Sequence, residues 1–194
     1  ILEAQALFDL RRYSESLQKA RVLLARDVTD AEAWLLKSHC LSAMDLHYSA
    51  LAAIDEHLSL TKAAPTGVLQ SRADLLTKLG RRDEAASTLR QALQREPLQP
   101  SLNFLLGNEL QALGDSVGAL QSFKTAFTLA PDFAQAEFNA SVLQLLTGDF
   151  KNGWRSYDAR WRLANVEQHI AVTRLPITTI SDRAQFEDKR VYLQ

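Results

Sequence analysis

A single cysteine, Cys40, stands in the 194 residues, so no disulfide can form within the chain and a fold stapled by crosslinks is excluded. One unpaired thiol fits a reducing compartment, and the expected location is cytoplasmic. Charge of neither sign is in excess: 22 basic against 23 acidic side chains leave a formal net charge of −1. The one-sided basic surface that a nucleic-acid backbone requires is therefore missing. No apolar run reaches the roughly 18 residues of a membrane-spanning helix. His39, His47, His57 and His169 show no His-Glu-x-x-His or related ligand spacing, and Cys40 has no CxxC companion. Neither a metal nor a cofactor is expected.

Chemistry is equally sparse. Gly107, Gly114 and Gly118 do not make a phosphate loop, because no strand pattern precedes them. The acidic pairs Asp55–Glu56 and Asp83–Glu84 fall at helix starts or on polar faces, where solvation and the helix dipole account for them. Arg11–Arg12 and Arg81–Arg82 fall in turns between helices and are expected to be solvated. No catalytic constellation remains, and no enzyme activity is expected of these residues.

What the chain does have is a period. Gly80, Gly114 and Gly148 lie 34 apart, as do Pro97 and Pro131, Ala85 and Ala119, Leu89 and Phe123, and Ala92 and Ala126. Between these landmarks run apolar stripes at helical spacing, such as Leu69, Ala73, Leu76 and Leu79, then Ala85, Leu89, Ala92 and Leu93. Glycine stops the first helix of each pair and proline follows the second. The small residues Ala73/Gly107 and Ala85/Ala119 mark the close approach of the two helices of a hairpin. Ala92/Ala126 mark the stacking of one hairpin on the next, and Leu89/Phe123 fill the space between.

On these residues the chain resembles the tetratricopeptide repeat (TPR) family. The resemblance implies an all-α superhelical solenoid of antiparallel helix hairpins over residues 1–167. Its units fall at 1–30 (truncated), 31–65, 66–99, 100–133 and 134–167, with a non-repeat linker or tail at 168–194. In the first unit Ala4, Leu7, Tyr13, Ser16, Ala20 and Leu24 are in phase. The unit 31–65 has Asp45 in place of the turn glycine and His57 in place of an alanine.

The last unit departs from the pattern. Gly153 replaces a packing alanine and Arg160 stands where Ala92 and Ala126 stood, so the regular array is expected to end there. Phe150, Trp154, Tyr157 and Trp161 make one side of this helix aromatic. With Arg160 they are candidates either for capping the solenoid or for docking a following domain. The segment Gly148-Asp149-Phe150, Gly153-Trp154 and Tyr157 to Arg160-Trp161 resembles the last repeat of bacterial TPR proteins that continue into a glycosyltransferase-like domain. Leu175-Pro176 stands at that family's linker, and Val191-Tyr192-Leu193 reads as the start of a strand. The tryptophan and glycines usual after the proline are replaced by Thr178, Thr179, Ile180 and Ser181. The chain also opens at Ile1 already in a helical pattern and reads as a piece of a longer protein.

In the TPR family the first helix of each unit lines a concave groove. That resemblance points to Leu35, His39 and Ser42, to Gln70, Asp74 and Thr77, to Phe104, Asn108 and Gln111, and to Phe138, Asn139 and Val142. The set is mostly uncharged, and its amides suit the backbone of an extended peptide whatever its sequence. Phe104 stands where the family's carboxylate-binding members need a base, which argues against recognition of a free C-terminus. The expected partner is a protein or peptide, either for a recognition arm attached to a glycosyltransferase-like domain or for a free-standing adaptor. Self-association through an open end of the array is a further expectation.

Overall fold

In the computed structural model residues 1–163 are described, and they contain ten α-helices in a continuous series of antiparallel hairpins. The hairpins are α1 (Leu2–Asp9) with α2 (Tyr13–Arg26), α3 (Ala31–Ala43) with α4 (His47–Leu60), and α5 (Thr66–Lys78) with α6 (Arg82–Arg95). They continue with α7 (Pro100–Ala112) and α8 (Ser116–Leu129), then α9 (Ala134–Leu146) and α10 (Phe150–Tyr157). Each helix packs on the one before and the one after, as the expected solenoid requires. The expectations for 168–194, including the Leu175-Pro176 linker and the strand at Val191-Tyr192-Leu193, lie outside the described residues. So does the end of the 134–167 unit.

Every hairpin turns in the same way. The second residue after each first helix has a left-handed backbone: Arg11 and Asp45 at φ 59°, Gly80 at 74°, Gly114 at 84° and Gly148 at 87°. The N–H that follows then closes on a carbonyl five residues back, as in Arg12 to Leu7 (2.9 Å), Arg81 to Leu76 (2.8 Å) and Asp149 to Gln144 (2.8 Å). This bond absorbs a carbonyl that the helix end leaves orphaned. Glycine suits the conformation because it has no Cβ to clash; Arg11 and Asp45 hold it with some strain.

Within a hairpin the helices cross on small residues. Ala4 faces Ser16, and the Ser16 hydroxyl donates to the Ala4 carbonyl at 2.7 Å. Ser38 likewise donates to the Ala50 carbonyl at 2.9 Å. A hydroxyl reaches the opposing main chain only when the two helices nearly touch. In the later hairpins the same register holds Ala73 and Ala85, Gly107 and Ala119, then Ser141 and Gly153, all buried. The core between successive hairpins comes from Ile54, Leu76, Leu89 and Phe123, each almost wholly enclosed.

Gly107 shows how tight this packing is. A Cβ added there would lie 2.6 Å from the Phe123 ring, which is itself fully buried. One repeat earlier the pair is Ala73 and Leu89, so a larger residue on one helix accompanies a smaller partner on the other. Gly107→Ala is expected to destabilise the array by about 1–2 kcal/mol, overpacking outweighing the gain in helix propensity. In a Phe123→Leu background the same change should be neutral or stabilising. Urea unfolding of the four proteins of this cycle checks the sign reversal.

A candidate peptide groove on the first helices

The inner face of the solenoid is built by the first helix of each hairpin, and two adjoining cavities open on it. The first, about 610 Å³, is lined by Phe8, His39, Ser42, Gln70, Asp74 and Lys78 among others. The second, about 350 Å³, is lined by Gln70, Asp74, Thr77, Arg82, Asn108 and Glu109, with Ala73, Leu89 and Leu105 as apolar wall. Gln70 and Asp74 belong to both and form the partition between them. The structure thus gathers His39, Ser42, Gln70, Asp74, Thr77 and Asn108 of the expected groove set around one continuous depression.

Other members of that set fall elsewhere. Phe104 is turned inward, its ring 5.7 Å from that of Phe123 and 4.8 Å from that of Phe133, so it is a packing residue and not a groove contact. The second phenylalanine, Phe138, lies 5.5 Å from Tyr157 and ties α9 to α10. Leu35 packs half-buried against the core. Gln111 is exposed and Val142 half-buried, and neither lines either of these two cavities. Asn139 donates to Asn108 at 3.4 Å and accepts from Gln135 at 3.0 Å, so its amide is engaged with α7 and with its own helix.

Sequence reasoning missed Glu109 and misplaced Arg82. Glu109 is only 5% exposed. Its carboxylate accepts from the Thr77 hydroxyl at 2.9 Å and pairs with Arg82 at 3.1 Å. Arg82 is thus no solvated turn residue: it reaches from α6 to the wall of the second cavity. A buried carboxylate needs such partners, since an unpaired charge there would cost several kcal/mol. The signal was present in the repeat register, where Cys40, Leu75, Glu109 and Leu143 are equivalent and all buried. One acid in an apolar column marks a special site. Its neighbour in sequence, Arg81, does behave as expected, pairing with Glu84 at the surface.

Histidine placement follows burial. His57 is enclosed, its Nδ1 2.9 Å from the Ala31 carbonyl; a carbonyl only accepts, so Nδ1 donates there, and Nε2 has no hydrogen-bond partner among the described residues. His39 stands on the wall of the first cavity, its ring 6.0 Å from Phe8. Burial, and secondarily the nearby His57, hold its pKa below the usual 6.5, while Glu32 opposes them weakly. Among the described residues no group of three or more His, Cys, Asp or Glu is placed to hold a metal ion. Cys40 is buried against the Ser16 hydroxyl (3.2 Å), and burial pushes its thiol pKa up, which makes it a packing residue and a poor nucleophile.

The end of the array is aromatic. Gly153 is required by contact, because a Cβ there would lie 2.7 Å from the Leu145 side chain. Helix α10 stops after eight residues and a 3-10 turn (Asp158–Arg162) follows, held to α9 by the ion pair of Arg162 with Glu137. Arg160 lies over the rings of Tyr157 (4.4 Å) and Trp161 (4.3 Å). Phe150 is 61% exposed, Trp154 60% and Trp161 45%. The residues equivalent to Trp154 in the first three hairpins, Leu17, Leu51 and Ala86, are buried.

Residues 71–108 match the sequence family described as tetratricopeptide repeat. The crystal structure of MamA superposes with a TM-score of 0.77 at 12% identity, over 88% of this chain and 97% of that one. That of YrrB, a TPR protein with an unusual peptide-binding site, gives 0.75 at 18% identity, over 88% and 89%. The fold is therefore a TPR solenoid. In sequence the chain is 27% identical over 124 residues to protein FlbA of Caulobacter vibrioides, a match over 64% of this chain and 21% of FlbA. The chain thus spans about a fifth of the length of that relative.

Because His39 is neutral in the folded state at a pH where the unfolded chain begins to protonate it, the unfolded state binds more protons below about pH 6.5. His39 therefore contributes stability above that pH, and the contribution is lost as pH falls towards the depressed folded pKa. A His39→Gln variant should show a shallower decline of melting temperature than the parent between pH 7 and about pH 5. Equal slopes in calorimetry would contradict the assignment.

Proposed function

We propose that this chain is a protein-interaction scaffold that holds an extended peptide along the inner face of its solenoid. The observation that supports it most is the pair of cavities joined at Gln70 and Asp74. Beside the charged Asp74, Lys78, Arg82 and Glu109, amides, hydroxyls and the His39 imidazole line them, which suits a peptide main chain with its regular donors and acceptors. The apolar floor under Phe8 and beside Leu89 and Leu105 takes side chains. The peptide-binding site of the structurally similar YrrB is in keeping with this use. An array of random-sequence peptides, probed with the purified chain, tests it. The parent is expected to select a subset of spots, and Gln70→Leu with Asn108→Leu to weaken them at least about tenfold with little change in melting temperature. Undiminished binding would move the ligand off this face.

The aromatic end supports a second reading, in which the array is the recognition arm of a longer protein with a glycosyltransferase-like domain. Phe150, Trp154 and Trp161 bare a surface that earlier repeats cover with the next hairpin. A protein extended past Gln194 is then expected to give a saturable thermal shift with a nucleotide-sugar. No shift across a panel of uridine and guanosine diphosphate sugars would leave the adaptor reading.

A further inference from the structure

The second cavity has its own chemistry. Two carboxylates, Asp74 and Glu109, line it against a single guanidinium, that of Arg82. Arg82 is committed to Glu109, so the lining carries one carboxylate in excess. That excess charge is Asp74, on the partition with the first cavity. Its own partner, Lys78, lies one helical turn along α5 at 2.8 Å and faces the first cavity only. Both groups of that pair are largely solvated, and such i,i+4 pairs are worth a few tenths of a kcal/mol, so Asp74 exchanges partner readily. The remaining wall, Ala73, Leu89 and Leu105, is aliphatic.

An aliphatic sleeve ending in a carboxylate whose own partner is weakly held is the complement of a long basic side chain. The methylenes pack on the leucines while the charged head meets the carboxylate. The first cavity offers no such preference, since its Asp74 and Lys78 balance and His39 is held neutral. Resting on the peptide-groove reading, we infer that the second cavity is a specificity pocket for one lysine or arginine side chain of the bound peptide, with Asp74 as its counter-ion. Glu109 and Arg82 form a charge-balanced part of its wall, and removing either would leave the other uncompensated.

The test uses the 194-residue chain, nitrogen-15 labelled, titrated with N-acetyl-arginine amide and N-acetyl-lysine amide, with the glutamine and glutamate analogues as controls. The basic probes are expected to shift the side-chain amide signals of Gln70 and Asn108 saturably, and the controls not to. Asp74→Asn, at an exposed position and so expected to melt as the parent does, should weaken the basic probes about fivefold. Whichever basic probe saturates first decides between lysine and arginine. Equal response to the glutamine analogue, no response at Gln70 and Asn108, or indifference to Asp74→Asn would each overturn the pocket. Peptide spots that depend on Gln70 and Asn108 but not on Asp74 would remove this inference alone. Spots indifferent to Gln70 and Asn108 would remove the groove reading itself.

Discussion

Everything in this molecule hangs on the contact of two helices across small side chains. Ala4 on Ser16, Ser38 on Ala50, Ala73 on Ala85 and Gly107 on Ala119 bring the axes of each hairpin close enough for a serine hydroxyl to bond the opposite main chain. A short interaxial distance lets one large residue per hairpin, such as Leu89 or Phe123, fill the remaining volume without a void. It also fixes the tilt of the pair, and the repetition of that tilt makes a superhelix with an inner face. A hairpin alone cannot bury its apolar stripe, so stability is shared between neighbours along the chain.

His57 and Glu109 are two of the polar side chains buried inside this apolar scheme, and they are unlike each other. His57 occupies a column otherwise filled by Leu23, Ala92, Ala126 and Arg160, and it uses one ring nitrogen to tie the end of α4 to the start of α3. Glu109 joins α7 to both helices of the preceding hairpin through Thr77 and Arg82. A buried acid held this way adds less to stability than an apolar residue of like volume would. Its effect is on the surface above it: the second cavity acquires a polar section of wall, the Glu109–Arg82 pair, beside Ala73, Leu89 and Leu105.

The same logic of neighbours explains the end of the array. A tryptophan at the place of Leu17, Leu51 and Ala86 is too large for an ordinary repeat contact. Arg160 lays its guanidinium over the ring faces of Tyr157 and Trp161, where Ala92 and Ala126 of earlier repeats are wholly buried. The glycine at 153 lets α10 lie close on Leu145 of α9, and Tyr157 packs on Phe138.

The fold was legible in the sequence because a repeat states its geometry several times over. Gly80, Gly114 and Gly148 at constant spacing, with alanines in fixed phase, admit only one turn and one kind of helix crossing. Asp45 and Arg11 adopt the same left-handed turn without glycine, since the closing hydrogen bond and the packed helices hold it. The candidate site was legible in part: the TPR resemblance pointed to His39, Gln70, Asp74 and Asn108, which line the two cavities, but could not tell that Phe104 rotates inward onto Phe123 and Phe133. Spacing gives direction about one helix axis, whereas the depth of a side chain depends on the two helices beside it. For the same reason the pairing of Arg82 with Glu109, 27 residues apart and on different hairpins, was decided only when the hairpins stacked.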